Sequence, residues 1–256
     1  ARDDVLHRLR PNLQKGALAA TVLFVGALPV LVTVENFERN DGRERRGADA
    51  VAQDQLRSLP EGTFFFSAYF KTEFAFAYLQ GVLRARPDVT VVHRNALQLP
   101  GVIEDLRSLP KTETQMLDAV RTKANADAEM AAVAAERPFW WEIDFKTTND
   151  EARHLVPRGF FAEWMAHPTV GDRQTAGLRE AAFFRERDAK LLAVMGGETE
   201  DIETLFWIHY LRGRFWATVG ERRFAAAAFD RALAIDPKNR DVKVERERVS
   251  GEPSQQ

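Results

Sequence analysis

The chain has no cysteine among its 256 residues. Neither a disulfide framework nor thiolate chemistry is available to it, and a zinc site is disfavoured. Its five histidines, His7, His93, His154, His167 and His209, show no metal-ligand spacing. No metal and no cofactor is expected. No charge of one sign dominates: 36 Lys and Arg are interspersed with 38 Asp and Glu, for a formal net charge of −2. There is no basic stripe, so nucleic acid is not an expected partner. The stretch FSAYFKTEF, where a phosphate loop would follow a first strand, contains no glycine. That disfavours a nucleotide site of the Rossmann or P-loop kind. No Gly-x-Ser-x-Gly elbow is present, and Ser67 stands in an apolar stretch without a motif around it.

What the sequence does have is one long apolar run, Gly16 to Val34, with no charge between Lys15 and Glu35. At 1.5 Å per residue these residues reach roughly the 30 Å of a bilayer's hydrocarbon core. The run predicts a single transmembrane helix, marked by Gly16, Gly26, Pro29 and Val34. A proline such as Pro29 is tolerated in membrane helices. Small residues at Gly16, Ala19, Ala20, Gly26 and Ala27 would permit lateral contact with other helices. The partners this implies are membrane lipid and other membrane-protein subunits. Arginines and lysines flank the run about equally on both sides, so charge does not orient it. The start at Ala1 is expected of a fragment or a processed form. Alanine and arginine richness with few lysines fits a GC-rich bacterial genome.

About 220 residues follow the run, enough for one ordinary domain or two small ones. The charged stretch from Glu35 leads into a helix-like ADAVAQDQLRSL, stopped by Leu59-Pro60-Glu61-Gly62. Thr63 to Phe70 reads as a strand, Glu73 to Ala85 as a helix, and Val89 to His93 as a second strand. Such a unit favours a parallel pair with a right-handed crossover. Thr112 to Ala135 reads as one long alanine-lined helix, and Phe139 to Phe145 as a third strand. Leu155 to Trp164 reads as a turn and a short strand. Helices are expected over Gln174 to Val194, Ile202 to Val219 and Arg222 to Ile235, followed by a charged, frayed end from Lys238.

Two groups of polar residues are candidates for ligand contact. Glu142 and Asp144 lie two apart on the expected third strand, which places them on one face; paired carboxylates can serve acid/base work on a glycoside. Solvated polar residues on the outer face of a sheet are the plainer reading. Lys71, Thr72, His93, Arg94 and Asn95 lie just past the carboxyl ends of the first two strands, where open α/β sheets bind ligands. Solvated loop ends are the plainer reading there. The five tryptophans read first as core, with a stacking surface as the alternative.

The C-terminal pair of helices carries Gly213, Trp216, Gly220, Ala225, Phe229, Ala232, Leu233 and Pro237 at the spacings of a tetratricopeptide unit. Small Gly213 and Ala225 would let the helices approach, Trp216 and Phe229 would fill the gap, and Pro237 would end the second helix. His209 stands where the unit usually has tryptophan. One such unit must pack on neighbours to be stable.

Leu59-Pro60-Glu61-Gly62, Tyr78-Leu79-Gln80, Arg86-Pro87-Asp88-Val89 with Val91-Val92, Arg137-Pro138 and Leu155-Val156-Pro157-Arg158-Gly159-Phe160 form a further pattern. It resembles the C-terminal region of a multi-pass bacterial membrane family related to the vertebrate transmembrane O-mannosyltransferase for plexin-type domains. The resemblance implies a last membrane helix, a small α/β domain, tetratricopeptide-like helices and an extracytoplasmic, here periplasmic, setting. Where that family often has Gly-Asp after the first strand, this chain has Ser67-Ala68. The family's catalysis is expected in membrane segments that are not among these residues.

The expected fold class is therefore α/β, with α+β as the alternative: one transmembrane helix, a small mainly parallel sheet with flanking helices, and a tetratricopeptide-like hairpin. The expected division is 1–15 flank, 16–34 transmembrane helix, 35–58 juxtamembrane linker and helix, 59–170 small α/β domain, 171–237 tetratricopeptide-like helices and 238–256 charged tail. The expected function is a membrane-anchored structural or protein-interaction subunit of a larger bacterial membrane complex. The alternative is the non-catalytic C-terminal domain of a polytopic glycosyltransferase, with Lys71, His93, Arg94, Glu142 and Asp144 as residues to test. A small-molecule sensor ranks behind both.

Overall fold

The computed structural model describes residues 47–99, 102, 106–122, 126–195 and 199–251. In its first part run α1 (Gly47–Ser58), β1 (Phe64–Ser67), α2 (Phe70–Gly81) and β2 (Thr90–His93). Then come α3 (Lys111–Arg121), α4 (Asp127–Glu136), β3 (Phe139–Trp141), α5 (Asn149–Ala152), β4 (Leu155–Arg158) and β5 (Phe161–Trp164). Four helices close the chain: α6 (Val170–Met195), α7 (Thr199–Thr218), α8 (Arg222–Ile235) and α9 (Arg240–Ser250).

β1 is buried at all four positions. A strand covered on both faces needs apolar residues in unbroken sequence rather than alternation, and Phe64-Phe65-Phe66 supplies them. Phe64 and Phe66 join Met116, Leu117, Met130, Val133, Phe139 and Trp141 under α3 and α4. Phe65 joins Val51, Leu56, Phe76, Leu79, Trp140, Phe161 and Phe184 under α1, α2 and α6.

The sheet runs β2-β1-β3-β5-β4. β1 is parallel to both β2 and β3, with Phe65 opposite Val91 on one side and Trp140 on the other. β5 is antiparallel to β3 and forms a hairpin with β4. The chain thus leaves β1 toward β2 over one face and returns past β1 to β3 over the other. Two neighbouring parallel strands whose chains depart in different directions open a crevice at their carboxyl ends.

Leu59, Pro60, Gly62, Arg86, Asp88 and Arg137 meet at the opposite, amino end. The Gly62 amide donates to Asp88 Oδ2 at 2.9 Å. Arg86 donates to the carbonyls of Leu56, Leu59 and Pro60 at 3.0, 2.7 and 2.7 Å, and pairs with Asp88 at 2.9 Å. Arg137 donates to the Gly62 carbonyl and pairs with Glu113 at 2.8 Å. The Arg86 guanidinium, helped by the Gly62 amide, holds the Asp88 carboxyl well below the usual carboxylate range. Arg86 adopts φ +48°, an unfavourable conformation for a side-chain-bearing residue; its four acceptors hold it there.

In the helical part, Gly213 of α7 lies under Phe229 of α8, and a Cβ there would come within 2.4 Å of the ring. Trp216, Ala225 and Phe229 are buried, and Gly220 takes φ +82° in the turn that ends α7. Pro237 follows the end of α8 at Ile235. α6 supplies the partners of α7: Glu180 lies 2.9 Å from Arg212 and accepts the Trp216 indole N–H at 2.7 Å, and Asp188 lies 3.1 Å from His209.

Several expectations need correction. The transmembrane helix over Gly16–Val34, with Gly26 and Pro29, lies outside the described residues. No helix among the described residues is long and apolar enough to cross a membrane. The longest, α6, carries Asp172, Arg173, Arg179, Glu180, Arg185, Glu186, Arg187, Asp188 and Lys190. The fold class is thus helices around a mixed five-stranded sheet, without a membrane-spanning element among the described residues, and the single-pass membrane architecture is not kept. The first strand stops at Ser67, because Phe70 already opens α2. The helix expected over Thr112 to Ala135 is two, α3 and α4. The stretch Leu155–Trp164 is a two-stranded hairpin that turns at Gly159, φ +70°. Much of the charged end is α9, capped by Asn239 accepting the Val242 amide at 3.2 Å and buried through Val242 and Val249.

Candidate functional site

α2 starts two residues after β1, with its amino end facing the carboxyl edge of the sheet. Helix amino ends carry unpaired N–H groups and partial positive charge, which suits them to anions. Here the anion comes from the chain itself. Glu142, the residue after β3, accepts the amides of Ala68 and Tyr69 on Oε2 at 2.7 and 3.0 Å. Its Oε1 accepts the Thr72 hydroxyl at 2.6 Å. Burial pushes the Glu142 carboxyl above its usual range, against the pull of these three donors.

A cleft of about 380 Å³ opens beside this contact. Tyr69, Lys71 and Thr72 line it from the start of α2, and Glu142, Ile143 and Phe145 from the end of β3. Phe160 and Phe161 come from the hairpin; Thr204, Trp207, Ile208, Leu211 and Arg212 come from α7. At the mouth, Lys71 Nζ donates to Thr204 Oγ1 at 2.7 Å, bridging the two walls. Arg212 is buried; one Nη donates to the Gly159 and Phe161 carbonyls, both at 2.6 Å. Burial works against both charges of its pair, raising Glu180 and lowering Arg212, while their contact works the other way. Burial, with the charges of Asp144 and Glu142 behind it, pushes the Tyr69 phenol above its ordinary value.

Lys71, Thr72 and Glu142 therefore line one cleft. The other four candidates, Asp144, Arg94, His93 and Asn95, are tied up elsewhere on the same edge. Asp144 pairs with Arg94 at 2.7 Å, and Arg94 lies 4.7 Å over the Trp141 ring. His93 is buried, accepts the Ala96 amide on Nδ1 at 3.0 Å, and stacks on Phe70 at 4.1 Å. Burial lowers the His93 imidazole. Asn95 donates to the Ala68 carbonyl at 2.9 Å. The strand that was to put Glu142 and Asp144 on one face ends at Trp141, so the two carboxylates serve different partners.

Of the α7 wall, the sequence points only to Trp207, as one of the five tryptophans with a stacking surface as alternative; Thr204, Ile208, Leu211 and Arg212 are not among its candidates. Thr204, Trp207, Ile208, Leu211 and Arg212 recur at helical spacing and define one face. No group of three or more acidic or histidine side chains among the described residues is placed to hold a metal ion. Ser67, buried 3.5 Å from the Val92 carbonyl, does not line the cleft.

No family model, curated protein or solved structure matches the chain.

Chemically, the cleft offers aromatic and aliphatic walls with a few fixed polar groups. That is the make-up of a site that recognises a compact apolar group. The Glu142 carboxyl already takes the Ala68 and Tyr69 amides at the helix end, so these are not open to a phosphate.

Proposed function

We propose that this chain is a protein-interaction subunit that works by binding, and that the cleft is its recognition site for a compact apolar or aromatic group of a partner. The observation that carries the reading is Glu142 filling the amino end of α2 beside an aromatic-walled cleft. The Glu142 carboxyl is spent on the chain's own amides, and the rest of the cleft is mainly apolar, with Gln55, Lys71 and Glu203 among its polar residues. A periplasmic setting rests on the resemblance alone and belongs to the same proposal. The alternative, a non-catalytic domain of a polytopic sugar transferase, is supported by the order of elements and by the contacts of Gly62, Arg86, Asp88 and Arg137 at the amino end of the sheet.

Trp207 at the mouth provides the test. An environment-sensitive naphthalene dye added to the protein is expected to bind and to quench Trp207. Leu211→Trp, which fills the cleft, is expected to abolish binding, and Glu142→Gln to leave it in place. Dye binding unaffected by Leu211→Trp would sink the proposal.

A further inference from the structure

α2, FKTEFAFAYLQG, carries large apolar side chains on two opposite faces, with Lys71, Thr72, Glu73 and Gln80 as its polar residues. Its inner face is spent on the core through Phe76 and Leu79. Its outer face is uncovered among the described residues: Phe70 is 51 % exposed, Phe74 67 % and Tyr78 48 %, continuing into Val82 at 64 % and Leu83 at 51 %. A helix that presents a second large apolar face is normally covered there too. Five half-exposed large side chains amount to on the order of 500 Å² of contiguous apolar surface, a patch of the size that marks an interaction site. We infer that a second copy of this chain covers it, as a twofold-symmetric dimer with the two α2 helices antiparallel.

Three observations favour a second copy over an unrelated partner. The face is self-complementary. Phe70, Phe74, Tyr78 and Val82 form a ridge at intervals of four, and beside it Ala77 and Gly81 form an exposed groove, where a Cβ on Gly81 would meet nothing within 4 Å. A twofold contact needs ridge and groove on the same patch, so that each copy supplies what the other receives. The charges also fit. Glu73 lies in the first turn and exposed Arg84 just past the end, so antiparallel pairing brings opposite charges together and opposes the helix dipoles. The area is sufficient but small. Two such faces bury roughly 1,000 Å², the lower bound for a specific interface and the size of a reversible contact.

The full chain is to be examined by sedimentation equilibrium over a concentration series. Reversible dimers are expected. Phe74→Glu, at an exposed position, is expected to give monomers with an unchanged circular dichroism spectrum and melting curve. Glu73→Arg should weaken the dimer at least tenfold, and Glu73→Arg with Arg84→Glu should restore it. Since the chain has no cysteine, Ala77→Cys provides a second reading: mild oxidation should give covalent dimers, whereas Arg222→Cys, on α8, should not. Monomers at every concentration overturn the proposal. So does an association indifferent to Phe74→Glu, or cross-linking equal at both cysteines.

Discussion

Glu142 Oε2 lies 2.7 Å from the amide nitrogen of Ala68, so a residue following β3 closes the amino end of the helix that follows β1. The two residues are 74 apart in sequence, and each follows one of two neighbouring parallel strands.

Removing it has a definite cost. Glu142→Ala leaves the Ala68 and Tyr69 amides and the Thr72 hydroxyl without their acceptor, which costs about 3 kcal/mol. Glu142→Gln keeps an oxygen for the two amides and stays within about 1 kcal/mol of the parent near pH 5. Urea unfolding measures both.

The same pair of variants separates on a pH axis. Burial raises the folded carboxyl of Glu142, so the folded chain holds this proton more firmly than the unfolded one. The resulting stability is full below the unfolded value of about 4.3 and is lost as pH rises through the folded value. Glu142→Gln has no such loss. Its stability relative to the parent is expected to rise with pH above that point, seen as a widening difference in Tm.

His93 works in the opposite sense. Its folded imidazole is lowered by burial, so its contribution is full above about pH 6.5 and is lost as pH falls through the folded value. His93→Asn, able to accept the Ala96 amide but not to titrate, is expected to flatten the acid side of the stability profile in that window. An unchanged acid slope in denaturation at several pH values would rule this out.

Arg212 and Glu180 form a buried pair, and each has further polar contacts. Arg212→Met strands the Glu180 carboxylate and costs about 3–5 kcal/mol. Adding Glu180→Gln removes the stranded charge and is expected to recover part of that loss. A double-mutant cycle in urea should therefore be strongly non-additive.

Gly213→Ala places a Cβ 2.4 Å from the Phe229 ring. Overpacking of this kind costs about 1–3 kcal/mol. Phe229→Leu in the same background vacates the space, and the double variant is expected to melt above Gly213→Ala alone.

The crossover β1-α2-β2 could be read from local pattern, because TFFFSAYF, a helical repeat and VTVVH sit next to one another in sequence. Boundaries went wrong where a side chain overrides propensity. The aromatic strand that FWWEIDF suggests ends at Trp141: Glu142 still donates its amide to the Phe66 carbonyl, but its side chain is taken by the α2 amides rather than set on a sheet face. α9 was hidden by its charges, since only Val242 and Val249, seven apart, face inward. The cleft shows the same limit. Lys71, Thr72 and Glu142 lie near strand ends, where topology alone points to them. Trp207, Leu211 and Arg212 reach the cleft only through the packing of α7, which no short-range pattern encodes.

The carbonyls gathered by Arg86 bear on how the chain divides. Leu56 belongs to α1, Leu59 and Pro60 to the loop after it, and Asp88 to the approach to β2. One guanidinium fastens a segment whose own sequence resembles a connector to the first parallel pair of the sheet. A shortened version designed to start at Leu59 would leave this arginine with fewer acceptors in a backbone conformation it adopts reluctantly. The working boundary of the α/β body therefore lies upstream of α1.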